Sequence, residues 1–309
     1  MTLRDLLQHQ VVVLDGAIST ELEKHGVETS NQLWGALALD CAQDAVRAVH
    51  RAYRQAGAQV LTTNTYQATV PGFMAAGFSA DDARALISRG ATLAQDAVLA
   101  EPNGSETGST LVAGSLGPYG AYLADGSEYT GAYQLSTEEF QEFHRPRVQA
   151  LLAAGLTLFA VETQPRLDEV QAVLALLEEL APQAQAWVSF QLRDTSTLAD
   201  GTPLADAVDW VDEWAAEHSV LVAVGVNCVA PEVLTPALTL MGSRTNLPLA
   251  CYPNSGDTYH AQTKTWTAAS SSARFTAFVE DWLELGVRLM GGCCRTAPAD
   301  TAQIRRSLM

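Results

Sequence analysis

Two adjacent cysteines, Cys293 and Cys294, stand in "LMGGCCRTAP" (Leu289–Pro298), directly after an apolar run, in a chain of 309 residues that holds only five cysteines. Such a pair has three chemical readings. A vicinal disulfide needs a small strained ring and an oxidising setting. Two buried thiols behaving as small hydrophobes are the usual state of free cysteine. The third reading is a pair of metal ligands, completed by Cys228 at the end of "VLVAVGVNC". Three protein ligands with one open position describe a catalytic zinc site, although this spacing is not a CxxC signature. Gly291 and Gly292, just before the pair, would let the backbone turn sharply so that neighbouring side chains reach one point.

The ligand type predicts the chemistry. A neutral three-histidine site leaves zinc strongly positive and suits the acidification of water. Three thiolates bring the site to a net charge of about −1, which makes a poorer Lewis acid but a better holder of a fourth, still nucleophilic, sulfur. Cysteine-rich zinc deaminases are the exception, and their PCxxC signature is absent. Ionising a thiol of pKa ~8.5 at neutral pH is worth roughly 2 kcal/mol. Alignment of nucleophile and electrophile can supply ~7–11 kcal/mol and must carry the larger share.

These cysteines need elements to bring them together. Short β-rich runs appear at "VVVLDG", "AQVLTTNT", "TLVAGSLG", "LTLFAVET", "AWVSFQLRD", "VLVAVGVNC", "LPLACYPNS" and "VRLMGGCC". Helical periodicity falls between them at Ala42–Gln55, Ala80–Leu99, Thr137–Ala154, Leu167–Leu180, Leu204–Glu217, Glu232–Met241, Ala273–Leu285 and Ala299–Ser307. Roughly eight βα units in this length predict a (β/α)8 barrel, one domain over residues 1–309. A doubly wound open sheet would need a glycine-rich phosphate turn after the first strand, and "LDGAIST" is not GxGxxG. In a barrel, active sites gather at the C-terminal strand ends. Asp15, Thr63, Asn64, Ser115, Glu162, Cys228, Asn254, Cys293 and Cys294 should therefore converge. The long third loop, with Tyr119, Tyr122, Tyr129 and Tyr133, reads as a binding element on that face.

Bulk composition narrows the partners. Hydrophobic residues make up 48% and charged residues 17%, which supports a sizeable core and argues against disorder. The formal charge of −17 argues against a nucleic-acid or anionic-membrane partner and mildly favours cationic small molecules. No run approaches the ~18 apolar residues of a membrane helix, and the first residues lack a signal-peptide pattern. A cytoplasmic protein with reduced thiols is expected, and a monomer.

The motifs together resemble one family. "GVNC" (Gly225–Cys228) and "GGCCRT" (Gly291–Thr296) are similar to the zinc-binding motifs of homocysteine S-methyltransferases, and "VLDGAISTELEKHG" (Val13–Gly26) to the start of their domain. "TNTYQAT", "GSLGPYGAYLADGSEY", "FHRPRV", "VET" and "YPNSG" extend the resemblance over nearly the whole chain, closest to the branch that uses S-methylmethionine, with S-adenosylmethionine as a second candidate donor. The resemblance implies that Cys228, Cys293 and Cys294 bind one Zn2+, that the homocysteine thiol takes the open position, and that Asp15 and Glu162 hold its amino group. An ammonium needs anionic acceptors, so the chemistry agrees. On the residues alone, Asp15 reads equally as a helix N-cap, and Glu162 as a surface charge, less attractively because it follows "LFAV". Thr63, Asn64, Tyr66 and Ser255 are further candidates for the pocket wall.

Other readings stay open at this point. Cys251 could complete a four-cysteine structural site, though a core cysteine fits better, and Cys41 has no assigned role. His144 in "FHRPRV" is the histidine to examine first. Lys24 and Lys264 are the only lysines, which leaves little room for Schiff-base chemistry. Betaine is the alternative methyl donor, and a zinc-stabilised sensor without turnover is the alternative class. Loop tyrosines can face a sulfonium through their ring quadrupoles, worth ~0.5–2 kcal/mol each, or simply pack the loop. Tyr129→Leu is expected to raise the KM for the methyl donor; steady-state kinetics with an unchanged KM would remove Tyr129 from the donor site.

Overall fold

The computed structural model describes residues 1–99, 110–260, 265–267 and 275–309. Eight short parallel strands lie side by side among them: β1 (Val12–Val13), β2 (Val60–Thr62), β3 (Leu111–Leu116), β4 (Leu158–Gln164), β5 (Gln185–Phe190), β6 (Leu221–Asn227), β7 (Leu249–Tyr252) and β8 (Val287–Met290). Their order is β1-β8-β7-β6-β5-β4-β3-β2. The seam between β1 and β2 is held by one parallel bridge, Leu14 to Val60. There the Asp15 N–H donates to the Val60 carbonyl at 3.1 Å and the Gln59 N–H to the Val13 carbonyl at 2.7 Å. The architecture is a (β/α)8 barrel in a single domain.

Strand periodicity sorts the apolar residues onto two faces. Val12, Leu14, Val60, Ala113, Leu158, Ala160, Trp187, Ala250 and Leu289 fill the barrel interior. Phe159, Val161, Val188, Phe190, Val224 and Val226 face outward and pack on the helices through Leu151, Val173, Val208 and Leu238. Burial on both faces explains why these strands read as continuous apolar runs.

The opening segment forms a plug that the periodicity did not announce. Helix α1 (Leu3–His9) starts at a capping box between Thr2 and Asp5 and sends Leu3, Leu6 and Leu7 into the interior cluster. Arg4 ties it to the starts of β5 and β6, its main-chain N–H to the Gln185 side chain at 3.1 Å and its guanidinium to the Leu221 carbonyl at 3.3 Å. Each buried leucine contributes about 1.5–3 kcal/mol. The end opposite the future site is thereby shut.

The helices predicted at Ala80–Leu99, Leu167–Leu180 and Leu204–Glu217 have those bounds. Four others move by a single residue, three at one end (Gln43–Gln55, Thr137–Ala153 and Pro298–Ser307) and one at both (Pro231–Gly242). The helix expected over Ala273–Leu285 is instead a 3-10 turn (Phe275–Phe278) leading into Val279–Glu284, and its first two residues lie outside the described residues. Between β7 and that turn, Thr258–His260 pairs antiparallel with Thr265–Thr267 in a hairpin that had no clear sequence signal. Among the described residues, no helix is long and apolar enough to cross a membrane.

One glycine holds the strand that carries Cys228. A Cβ on Gly225 of β6 would sit 1.8 Å from the Ala250 carbonyl oxygen of β7, so any side chain there drives the two strands apart. Gly225→Ala is expected to cost about 3 kcal/mol or more in urea unfolding. Gly242→Ala meets nothing closer than 3.6 Å and should stay within about 0.5 kcal/mol of the parent.

Candidate active site and metal centre

The cavity above the C-terminal strand ends encloses about 180 Å³ and is lined by Asp15, Thr63, Asn64, Tyr66, Ser115, Tyr129, Glu162, Cys228, Cys293 and Cys294, among others. Nearly every residue expected to converge does so. Two expected neighbours stand back from it. Asn254 donates from its side chain to the Cys228 carbonyl at 3.3 Å, and the Ser255 main-chain N–H donates to the Cys294 carbonyl at 3.0 Å. Ser255 is therefore corrected from a wall residue to a main-chain brace of the cysteine loop, because the turn after β7 points its hydroxyl at the Asp257 N–H instead.

The three sulfurs of Cys228, Cys293 and Cys294 lie within 4.8 Å of one another. All three are free thiols, and the Sγ atoms of Cys228 and Cys294 are 3.4 Å apart, against ~2.05 Å for a disulfide. Tetrahedral zinc with Zn–S near 2.3 Å separates its sulfurs by roughly 3.8 Å. The cluster fits a metal. Hydrogen bonds from Cys293 and Cys294 hold the Cys228 thiol well below the ordinary thiol range, and donating to Cys228, with burial adding to it, pushes the two donors above it.

The backbone is strained where it presents these groups. Cys228 takes φ 55°, Thr163 φ 58°, Trp34 φ 47° and Arg295 φ 65°; the first three line the cavity and the fourth follows Cys294. Left-handed geometry in such residues costs of order 1–3 kcal/mol and persists only where surroundings impose it. Gly291 and Gly292 act differently from expectation. Neither adopts a positive φ; a Cβ on Gly291 would strike Leu14 at 2.5 Å, and one on Gly292 would strike Thr296 at 2.3 Å. Gly291 permits close approach of the cysteine loop to the residues after β1, and Gly292 lets the loop pack on its own Thr296.

Across the cavity, two buried acids are held firmly. Asp15 accepts from the Thr62 N–H at 2.8 Å and the Thr62 hydroxyl at 2.9 Å. It caps no helix, since the helix at Ile18–Lys24 begins after Ala17 without a side-chain cap. Burial raises its pKa well above the usual carboxylate range, against the pull of the Thr62 bonds. Glu162 accepts from the Ser115 hydroxyl at 2.5 Å. Burial pushes it up to about 7, although Ser115 and Tyr252 bonds oppose the shift. Tyr252 is fixed in turn by Ser189 and by the Trp187 indole N–H at 2.9 Å. The surface-charge reading of Glu162 is excluded by its burial.

Residues 12–308 match the sequence model of the homocysteine S-methyltransferases. The chain belongs to the homocysteine S-methyltransferase family. The homocysteine S-methyltransferase of Escherichia coli (strain K12) is 47% identical over 308 residues, covering 98% of this chain and 97% of that protein. Homocysteine S-methyltransferase YbgG of Bacillus subtilis (strain 168) is 41% identical over 300 residues, covering 96% and 94%. The metallated form of the Escherichia coli homocysteine methyltransferase MmuM superposes with TM-score 0.87 at 45% identity over 99% of each chain. The apo form gives 0.78 at 40% identity over 98% of each. The protein is thus a methyltransferase acting on homocysteine, of a metal-dependent family, and it carries a three-cysteine cluster able to bind a metal.

The remaining cysteines and tyrosines separate cleanly from this methyltransferase site. Cys251 faces the outer apolar layer and Cys41 is exposed. Tyr129 alone of the loop tyrosines lines the cavity, its hydroxyl 4.0 Å from the Cys228 sulfur. Tyr119 and Tyr122 pack on Phe143, with ring centres 4.9 and 5.5 Å away. His144 is fully buried between the Glu169 carboxylate, 2.8 Å from Nε2, and the Arg147 guanidinium, which donates to Nδ1 at 2.7 Å. Glu169 also receives the Tyr133 hydroxyl at 2.5 Å and the Tyr119 N–H at 2.6 Å, so this network braces the third loop. Asn227 and Thr163, two residues beside the predicted ones, were not singled out from the sequence; only their long-range pairing reveals them.

A carboxyl whose folded pKa lies near 7 binds its proton more tightly than in the unfolded chain. Stability is therefore lost as pH rises from the unfolded value through 7. Glu162→Gln removes this cost. In metal-free protein it is expected to stabilise the fold by up to roughly 3 kcal/mol at pH 8 and to give little at pH 4. Urea titrations showing the same difference at both pH values would refute the assignment.

Proposed function

We propose that the enzyme transfers a methyl group from S-methylmethionine, with S-adenosylmethionine as a second donor, to the thiolate of L-homocysteine, forming methionine, with one Zn2+ per chain held by Cys228, Cys293 and Cys294. One observation carries this reading: three free thiols and two buried acids line the same cavity.

Asp15 and Glu162 are proposed to accept the homocysteine ammonium. Burial raises both carboxyls, and at Glu162 the Arg147 guanidinium offsets only part of the shift; a bound ammonium would oppose it further through charge-assisted bonds worth about 1.5–3 kcal/mol each. When bound, Zn2+ would keep the homocysteine thiol ionised yet nucleophilic at neutral pH. The three cysteines supply the negative charge that leaves such a sulfur electron-rich. Tyr129 and Tyr66 would face the donor's sulfonium, and Thr63 and Asn64 complete the wall. Thr63 is fixed through Thr65 at 2.6 Å, and Asn64 donates to the Gly35 carbonyl at 2.7 Å.

In the transfer, the sulfonium carbon–sulfur bond breaks as the homocysteine sulfur bonds to the methyl carbon. Cation and anion become two neutral thioethers. A transition state that loses charge favours a cavity with little water. The chain would act as a monomer in the cytoplasm on these small molecules, without nucleic acid or membrane. Methyl-transfer assays with zinc-loaded protein should give turnover with S-methylmethionine, less with S-adenosylmethionine and none with betaine. Homocysteine should also shift the sulfur-to-metal charge-transfer band of the cobalt-substituted enzyme. Inactivity with both sulfonium donors would remove the donor assignment, and a silent cobalt spectrum would favour a closed structural site.

A further inference from the structure

Asn227 sits one residue before Cys228, fully buried at the end of β6. Its carboxamide reaches past β5 to β4. The Oδ1 atom accepts the Thr163 main-chain N–H at 2.8 Å, and Nδ2 donates to the Thr163 hydroxyl at 2.8 Å. The same nitrogen lies 3.8 Å from the Cys293 sulfur as a donor. One side chain therefore touches the residue after Glu162, follows directly into Cys228 and faces Cys293.

Thr163 needs that grip. It is buried in the left-handed region at φ 58°, a conformation costly for a β-branched residue. It also lies in the stretch where the β4–β5 register slips, between Val161 and Gln164. A bulge of this kind re-aims the neighbouring side chain. Glu162 is the side chain re-aimed here, into the cavity beside Ser115. With Thr163 extended, the ladder would continue regularly and its N–H would lose the partner it has at Asn227. The Thr163 side chain also bonds the Tyr66 hydroxyl, so the same contact reaches a further residue of the cavity wall.

We propose that Asn227 is a positioning residue that couples the two halves of the site: its amide oxygen locks Thr163 so that Glu162 points inward, and its amide nitrogen orients the Cys293 sulfur. The second half rests on the metal reading above. Hydrogen bonds from such outer groups to metal ligands fix ligand orientation, and their loss typically lowers metal affinity 10–100-fold. An N–H aimed at a thiolate also withdraws electron density from it.

Two variants separate the halves. Asn227→Asp keeps two oxygen acceptors for the Thr163 N–H and hydroxyl but turns an anion toward Cys293. Asn227→Ala removes both contacts. Cobalt and zinc affinities are measured by chelator competition without substrates, alongside the cobalt charge-transfer band and the KM for homocysteine and for S-methylmethionine. Both variants are expected to bind metal 10–100-fold more weakly. The Ala variant should shift the cobalt band to lower energy and raise the homocysteine KM more than the donor KM, whereas the Asp variant should raise the homocysteine KM less. Should Asn227→Ala fail to fold, the metal affinity of the Asp variant decides alone. Metal affinity unchanged in Asn227→Asp overturns the proposal, because a side chain that only filled space would tolerate this isosteric change. A parent protein that binds no metal would instead sink the functional reading, a separate result.

Discussion

Five groups able to carry negative charge, the thiols of Cys228, Cys293 and Cys294 and the carboxyls of Asp15 and Glu162, line one buried cavity. Like charges repel far more strongly in a low-dielectric site than in water. Burial, with a smaller contribution from that repulsion, raises both carboxyls above the usual carboxylate range, while hydrogen bonds from its two neighbours lower the Cys228 thiol. Such a site is incomplete without cations. The three sulfurs could take a metal, and on the functional reading proposed above the two acids would take an ammonium.

Holding these groups together is work for the main chain as much as for side chains. The Gly292 N–H donates to the Asp15 carbonyl at 3.1 Å, and the Cys293 N–H to the Pro253 carbonyl at 2.7 Å. The cysteine loop is thus hydrogen-bonded to the ends of β1 and β7 at once. Gly225, Gly291 and Gly292 keep these approaches free of Cβ atoms. The left-handed Cys228 and Thr163 turn two strand ends inward. The geometry is imposed by a rigid scaffold, which suits chemistry dependent on alignment.

Much of this was readable in the residues. Long helices with regular apolar spacing, such as Ala80–Leu99 and Leu204–Glu217, have the bounds their period predicts, because one buried face repeats over several turns. Strand-end polar residues converge because a barrel leaves them nowhere else to go. What escaped depends on partners distant in sequence. Leu3, Leu6 and Leu7 read as an unremarkable opening until the barrel supplies an interior for them. Asn227 looks like any polar strand end, and only the bulge at Thr163 gives it a task. Ser255 sits in a motif that belongs to the site, yet its contribution runs through an N–H, which no side-chain pattern reveals. The two glycines before Cys293 suggest a sharp turn from the sequence, where the structure requires close approach instead.

The wall of the barrel is thinnest between β1 and β2, where a lone bridge at Leu14 and Val60 does the joining. Asp15 stands at that seam, its carboxylate gripping Thr62 on the far side. On the functional reading proposed above, a ligand seated on Asp15 would act as a clasp across the weakest stave, and its binding would stabilise the closed cylinder by mass action.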